Sequence, residues 1–341
     1  MSAVTPDTTH ARPGSGVPAD ARDAAGDRRL VTGLAFALLS AVAFSLSGTL
    51  ASGLFDTGWS PGAVVLVRVA IGALVVLPAG IISLLGRWEA VRRNVGLIAA
   101  YGTLAVAGAQ FCYFSAVQHM QVGPALLIEY TAPAAVVVWF WLRHGQRPGP
   151  VTLVGAGLAA LGLVLVLDLL SGAQLSPVGV AWSLGAMVGA ATYFVINGDE
   201  TTGLPPLALA AGGLVVGTLV LGLLGLSGLL PLTASTVPPV YAGTSVPWWL
   251  PMIGLGVVTA GVAYVAGIAA GRRLGSRLSS FVSLLEVVAA IGFAWLLLGE
   301  LPRPVQLLGG LLILAGVVTV RLGEERIARS AAGHGTAAPT S

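Results

Sequence analysis

WLRHGQRPGPVTLVGAGLAALGLV occupies residues 141–164, and WLLLGELPRPVQLLGGLLILAGVV occupies residues 295–318. At an offset of 154, 11 of the 24 positions are identical, among them Trp141/Trp295, Gly145/Gly299, Pro148/Pro302, Pro150/Pro304, Gly155/Gly309 and Gly162/Gly316. Upstream, Gly102 matches Gly256 and Ala109 matches Ala263 at the same offset. The chain therefore reads as two related halves, and the spacing of the repeat sets how those halves are arranged.

Composition fixes the solvent. Hydrophobic residues make up 56% of the 341 residues and charged residues 9%, against about 25% charged in a soluble domain. Runs of about 20 apolar residues span the roughly 30 Å hydrocarbon core of a bilayer. Ten such spans are read at about 31–54, 62–85, 94–117, 122–142, 150–170, 177–197, 204–230, 247–270, 276–298 and 304–322. The expected fold is an all-α polytopic membrane protein. Residues 1–30 and 323–341 are expected to be polar tails, the first disordered, and 31–170 and 177–322 the two five-helix halves. The proline-rich segment at about 229–247 reads as an extramembrane loop.

All 17 basic residues are Arg. With the N-terminus in the cytoplasm, 15 of them fall inside, Arg321 included, only Arg303 falls outside, and Arg68 lies within a span. This is a strong positive-inside bias. An even number of spans also puts the C-terminus inside. Each half has an odd number of spans, so the halves sit in opposite orientations: ten helices as two inverted repeats, the arrangement that alternating access uses. The charge pattern agrees, since Arg143 and Arg147 of the first copy become Leu297 and Leu301 in the second. GxxxG spacing at Gly185/Gly189 and Gly267/Gly271 predicts close packing within the bundle.

The basic residues carry no interleaved aromatics, so no nucleic-acid surface is expected. Cys112 is the sole cysteine, which leaves no intrachain disulfide and no CxxC pair. No metal and no cofactor is expected.

The ten spans in two halves, Leu-Leu-Leu-Gly-Glu at 296–300, Gln306-Leu-Leu-Gly-Gly at 306–310 running to Ala315-Gly316, and Ile128-Glu129-Tyr130-Thr131-Ala132-Pro133 in the fourth span resemble the EamA family of the drug/metabolite transporter superfamily. The resemblance covers about 31–322. It implies a bacterial inner-membrane exporter of amino acids, their derivatives or other small metabolites. One departure stands out. The second half of the family commonly carries Glu-Pro, whereas Glu286 is followed by Val287. A backbone break in the ninth span is left open.

Ionisable groups inside spans cost about 2.5–3.5 kcal/mol on insertion scales, so each needs a reason. Glu129 leads. Pro133 has no N–H for the carbonyl of residue 129 and its ring displaces that carbonyl. A carboxylate and a freed carbonyl are thus offered at one level, beside Tyr130. The alternative is an ion pair with Arg68 that only holds the bundle together. Glu286 sits near the middle of the ninth span; at the repeat offset it matches Ala132, and Glu129 matches Ser283. A buried carboxyl can exchange protons near neutral pH, so either acid is a candidate for proton coupling, against a structural hydrogen bond as the alternative. Arg68 offers bidentate geometry to a substrate carboxylate; pairing with Glu129 or Asp56, or snorkelling to the interface, is the favoured alternative. Gln110 matches Tyr264, and with Tyr193 they are polar positions within spans, fit to line a cavity or to satisfy inter-helix contacts. Asp168 reads as interfacial and His119 as a solvated turn residue.

The expected function is export of a small polar metabolite, an amino acid or related compound, by alternating access, with the bilayer, the solute and protons as partners and a monomer or homodimer as the assembly. A membrane-embedded enzyme or a channel is the alternative. Gly225-Leu226-Ser227-Gly228 has the shape of an intramembrane serine protease motif, but no histidine lies deep in a span to act as its base. No HExxH motif is present, and no filter-like carbonyl motif or acidic ring suggests a channel.

Overall fold

The repeat explains how the helices begin, end and touch. The computed structural model describes residues 19–145, 148–166, 176–197 and 202–334. Helix α1 (Ala19–Phe55) is followed by α2 (Pro61–Ser83) and a short surface helix α3 (Trp88–Arg93). The third stretch is continuous but mixed: α4 (Val95–Ala100), a π-helical segment π1 (Tyr101–Gly108) and α5 (Ala109–His119). Then come α6 (Val122–Glu129), α7 (Ala132–His144) and α8 (Pro150–Val166). The second half holds α9 (Pro177–Asn197) and α10 (Pro206–Leu226), then strands β1 (Val240–Tyr241) and β2 (Thr244–Ser245). It continues with α11 (Trp249–Ile253), π2 (Gly254–Val262), α12 (Ala263–Ser283), α13 (Leu285–Leu298) and α14 (Pro304–His334).

Among the described residues seven helical stretches are long and apolar enough to cross a membrane, and Pro150–Val166 and Leu285–Leu298 are apolar but shorter. Leu, Val, Ile and Trp side chains remain exposed along their outer faces, as lipid-facing surface requires.

Gly145 (φ 65°) and Gly299 (φ 71°) end α7 and α13 in the left-handed conformation. Their N–H groups reach back to the carbonyls of Trp141 at 3.1 Å and Trp295 at 3.0 Å. Glycine adopts this backbone at no steric cost, and the orphan carbonyls of the last turn are satisfied. Pro150 and Pro304 then open α8 and α14 at the helix start, where a missing N–H costs nothing.

The remaining duplicated glycines join these two helices. A Cβ on Gly155 would lie 2.7 Å from the Gly316 carbonyl oxygen, and one on Gly316 would lie 2.6 Å from that of Gly155. Gly162 and Gly309 face each other the same way, at 2.5 and 2.6 Å. As the chain advances from 155 to 162 its partner retreats from 316 to 309, so α8 and α14 run antiparallel. Only glycine lets the backbones come this close. Gly185 and Gly189 likewise bring α9 onto Cys112 and Ala109 of α5. Of the other GxxxG pair, Gly267 packs on Ser40, but Gly271 has nothing within 4 Å.

Two kinds of irregularity recur in both halves, and the sequence pointed only to the break before Pro133. π1 and π2 occupy matching positions: the Ala109 N–H reaches the carbonyls of Leu104 and Val106, and the Ala263 N–H those of Val258 and Ala260. Each skips the i−4 acceptor of an α-helix. The fourth stretch breaks at Tyr130–Thr131, and its counterpart breaks at Leu284. The break in the second half thus forms without a proline beyond Glu286.

Helix ends differ from the sequence expectation in three places. α1 already begins at Ala19 and α14 extends to His334, over segments expected as tails, because Ala, Arg and Glu favour helix outside the bilayer too. The eighth span was expected to close near 270, yet α12 stays helical to Ser283. Arg272, Arg273 and Gly275 mark departure from apolar sequence, but no proline stops the helix. Asp168 and Arg147 lie outside the described residues.

The 229–247 loop carries the β1–β2 hairpin, with Ala242 and Gly243 both at positive φ in its two-residue turn. Tyr241 donates its hydroxyl to the Leu50 carbonyl at 2.6 Å, and the Ala242 N–H donates to Leu297 O at 2.7 Å. Ser60 donates its hydroxyl to Pro231 O at 2.8 Å. The loop and its hairpin therefore strap the ends of α1, α2 and α13 together.

Candidate functional site

The two helix breaks and π1 border one cavity of about 490 Å3. All eight side chains singled out in the sequence line it: Arg68, Gln110, Glu129, Tyr130, Pro133, Tyr193, Tyr264 and Glu286. They come from seven helices. Arg68 is on α2, Gln110 on α5, Glu129 ends α6, Tyr193 is on α9, Tyr264 is on α12 and Glu286 is in the first turn of α13. Tyr130 is the residue of the break itself, and Pro133 opens α7.

At the first break the Ile128 carbonyl accepts both the Thr131 hydroxyl at 2.7 Å and the Thr131 N–H at 3.1 Å. Tyr130 donates its hydroxyl to Glu286 Oε2 at 2.9 Å. That bond joins the break of the first half to the first turn after the break of the second. Glu286 gains from its position: an acid in a helix's first turn faces unsatisfied N–H groups and the positive end of the dipole.

Arg68 is 3% exposed. Its Nε donates to Thr259 Oγ1 at 3.1 Å, Nη2 donates to the Thr259 carbonyl at 3.1 Å, and Nη1 donates to Gln110 Oε1. The guanidinium carbon also stands 5.1 Å from the Phe114 ring centroid, a cation–π distance. None of these hydrogen-bond partners is a carboxylate. The expected pairing with Glu129 or Asp56 is replaced by neutral acceptors, and the side chain does not snorkel.

Aromatic edges shape the walls. Phe44 and Tyr264 meet edge to face with centroids 5.2 Å apart, and Tyr101 and Tyr193 lie 5.9 Å apart. Sequence reading missed Tyr101, Tyr113 and Arg321 as cavity residues. It also missed Thr259, a fully buried residue within π2. A buried threonine opposite a buried arginine could have been suspected only once α2 was known to touch π2.

The cavity extends toward one end of the bundle, where Ala37, Pro206 and Arg321 line it. At the opposite end the Val122 N–H donates to Glu300 Oε2 at 3.1 Å, and Tyr241 holds Leu50. Burial pushes the Glu300 carboxyl above the usual carboxylate range, and the bond from Val122 offsets part of that rise. Outside the cavity, His119 Nδ1 lies 2.7 Å from the Ser115 carbonyl. Ser227 caps the end of α10 with its hydroxyl on Leu224 O at 2.9 Å. No group of three or more His, Cys, Asp or Glu that could hold a metal occurs among the described residues.

Comparison with known proteins agrees with this architecture. A family model described as the EamA-like transporter family matches residues 31–168 and again 177–322. An uncharacterized transporter of Archaeoglobus fulgidus is 29% identical over 286 residues, covering 84% of this chain and 95% of its own. The threonine/homoserine exporter RhtA of Escherichia coli K12 is 26% identical over 307 residues, covering 87% and 92%. The exporter of the same name from Salmonella typhimurium LT2 is 27% identical over 288 residues, covering 82% and 88%. A solved crystal structure superposes with a TM-score of 0.57 at 20% identity, covering 87% of this chain and 99% of that one, which is a likeness of fold.

Proposed function

The chain belongs to the EamA-like transporter family, and from that premise we propose that it exports a small polar metabolite, an amino acid or related compound, by alternating access. One observation carries the proposal. Broken helical stretches from both halves, with the helices around them, bring two acids, two arginines and five tyrosines to one cavity. Helix breaks beside polar groups at the repeat interface are the usual form of a transporter site.

The fold proposed is ten membrane helices in two inverted repeats. The antiparallel glycine contact between α8 and α14 supports it, as do the paired π segments and paired breaks. The chain resides in the cell membrane with both termini in the cytoplasm, in keeping with the arginine bias. The conformation is then the one open to the cytoplasm, since the Arg-rich end is the end that the cavity approaches. The Glu300–Val122 bond and the hairpin strap seal the outer side. Opening outward requires those contacts to break while the inner ends of α1, α10 and α14 close.

Arg68 receives the acid group of the solute, and Glu129 and Glu286 receive its amine or a proton. The aromatic walls exclude bulk water and limit size. The relatives named as threonine/homoserine exporters make L-threonine the natural first probe.

The test is flux from proteoliposomes under an imposed pH gradient. Glu129→Gln and Glu286→Gln are each expected to abolish the gradient-dependent component. If both variants keep it intact, proton coupling through these groups is excluded.

A further inference from the structure

The geometry points to Thr259 as a positioning residue that aims the Arg68 guanidinium at the cavity, so that it takes the carboxylate of a transported solute. The inference rests on the transport reading above and adds the residue that fixes the chemistry at one end of the site.

Thr259 meets Arg68 twice, through its hydroxyl and through its carbonyl, each at 3.1 Å. The carbonyl is presented by the π register. In an α-helix the Ala263 N–H would bond Thr259 O, but here it bonds Val258 and Ala260 instead. The hydroxyl is oriented as well. It donates to Leu255 O at 2.8 Å, which turns its lone pairs toward Arg68.

The repeat-related contact, between α10 and π1, has the same packing without the polar groups. The second spans align at an offset of 145, which pairs Pro61 with Pro206, Gly72 with Gly217 and Arg68 with Gly213. A Cβ on Gly72 would stand 2.7 Å from Ala260 Cβ and 3.8 Å from Gly256 O. A Cβ on Gly217 would stand 3.1 Å from Val106 Cγ1 and 3.3 Å from Gly102 O. Those neighbours are repeat counterparts, so the backbone contacts correspond. The counterpart of Thr259 is Ala105, and that of Arg68 is Gly213. Arginine and threonine are present together at one of the two repeat-related contacts and absent together at the other, as a functional pair would be. A purely structural role for π2 needs neither, since π1 forms without them.

Both carboxylates that line the cavity compete for the guanidinium. Removing the Thr259 hydroxyl leaves Arg68 Nε without its acceptor in a buried site, a costly state. Arg68 then turns to Glu129 or Glu286, and an internal ion pair replaces an open anion site.

The test uses the full chain in liposomes, with counterflow of L-threonine and of L-threoninol, the same skeleton with an alcohol in place of the carboxylate. Thr259→Val is expected to raise KM for threonine about tenfold, with Vmax and threoninol transport changed by less than about twofold. Thr259→Ser, which keeps the hydroxyl, is expected to stay near the parent protein. If the valine variant does not fold, Thr259→Ala carries the same expectation. Equal losses for both solutes, or a serine variant that behaves like valine, would overturn the role of Thr259. A parent protein that moves threonine and threoninol alike would overturn carboxylate recognition while leaving transport standing. A parent protein that moves neither removes the transport reading, and this inference with it.

Discussion

The break in the first half and the break in the second differ in what makes them. Between α6 and α7, Pro133 cannot donate to the Glu129 carbonyl, so the gap is written into the covalent chain. Between α12 and α13, every residue from Ser283 to Val287 keeps its N–H. The Val287 N–H still reaches Leu284 O at 3.2 Å, and the gap is held by surroundings. The polar cargo differs too. The acid precedes the first break at Glu129 and follows the second at Glu286, and Tyr130 ties one to the other. We read the first break as a fixed part of the binding site and the second as a gap held open by its surroundings.

That contrast can be broken in order of expected effect. Pro133→Ala restores a donor for the Glu129 carbonyl, allows α6 and α7 to join, and should cut threonine flux about tenfold while raising Tm in detergent. A variant with normal flux would mean the fixed break does not matter. Tyr130→Phe removes only the hydroxyl that reaches Glu286 and should lower flux about fivefold, near the worth of one buried hydrogen bond. An unchanged rate would mean the two breaks act separately. Val287→Pro writes the family-like proline into the second half. Because α13 has already begun beyond a gap at Leu284, and only one long bond is lost, the expected loss is about threefold or less. A complete loss would show that the second break must close during the cycle, and would sharpen the contrast.

Much of this was open to reading from sequence, for physical reasons that can be named. Apolar length announces spans, and the identical glycines and prolines mark caps and close contacts, as Gly145/Gly299 and Gly155/Gly309 proved to do. The acids could be singled out because charge inside a bilayer always needs a reason. The π segments could not be found, since a one-residue slip in hydrogen bonding leaves no composition signal. The partner of Arg68 was missed for a related reason. Burial pairs were sought among charges, and the structure supplies a hydroxyl, a carbonyl and an amide. The helical extension of α1 below residue 31 was hidden by an Ala- and Arg-rich sequence that suits a solvated helix as well as a tail.

The central claim is that the cavity between the two breaks is where a solute is held and passed across the membrane. Counterflow of radiolabelled L-threonine into liposomes containing purified protein tests it most directly, with Glu129→Ala as the paired variant. Saturable uptake by the parent protein and uptake at the level of empty liposomes by a correctly folded Glu129→Ala is the predicted result. Saturable uptake that survives Glu129→Ala unchanged would contradict it.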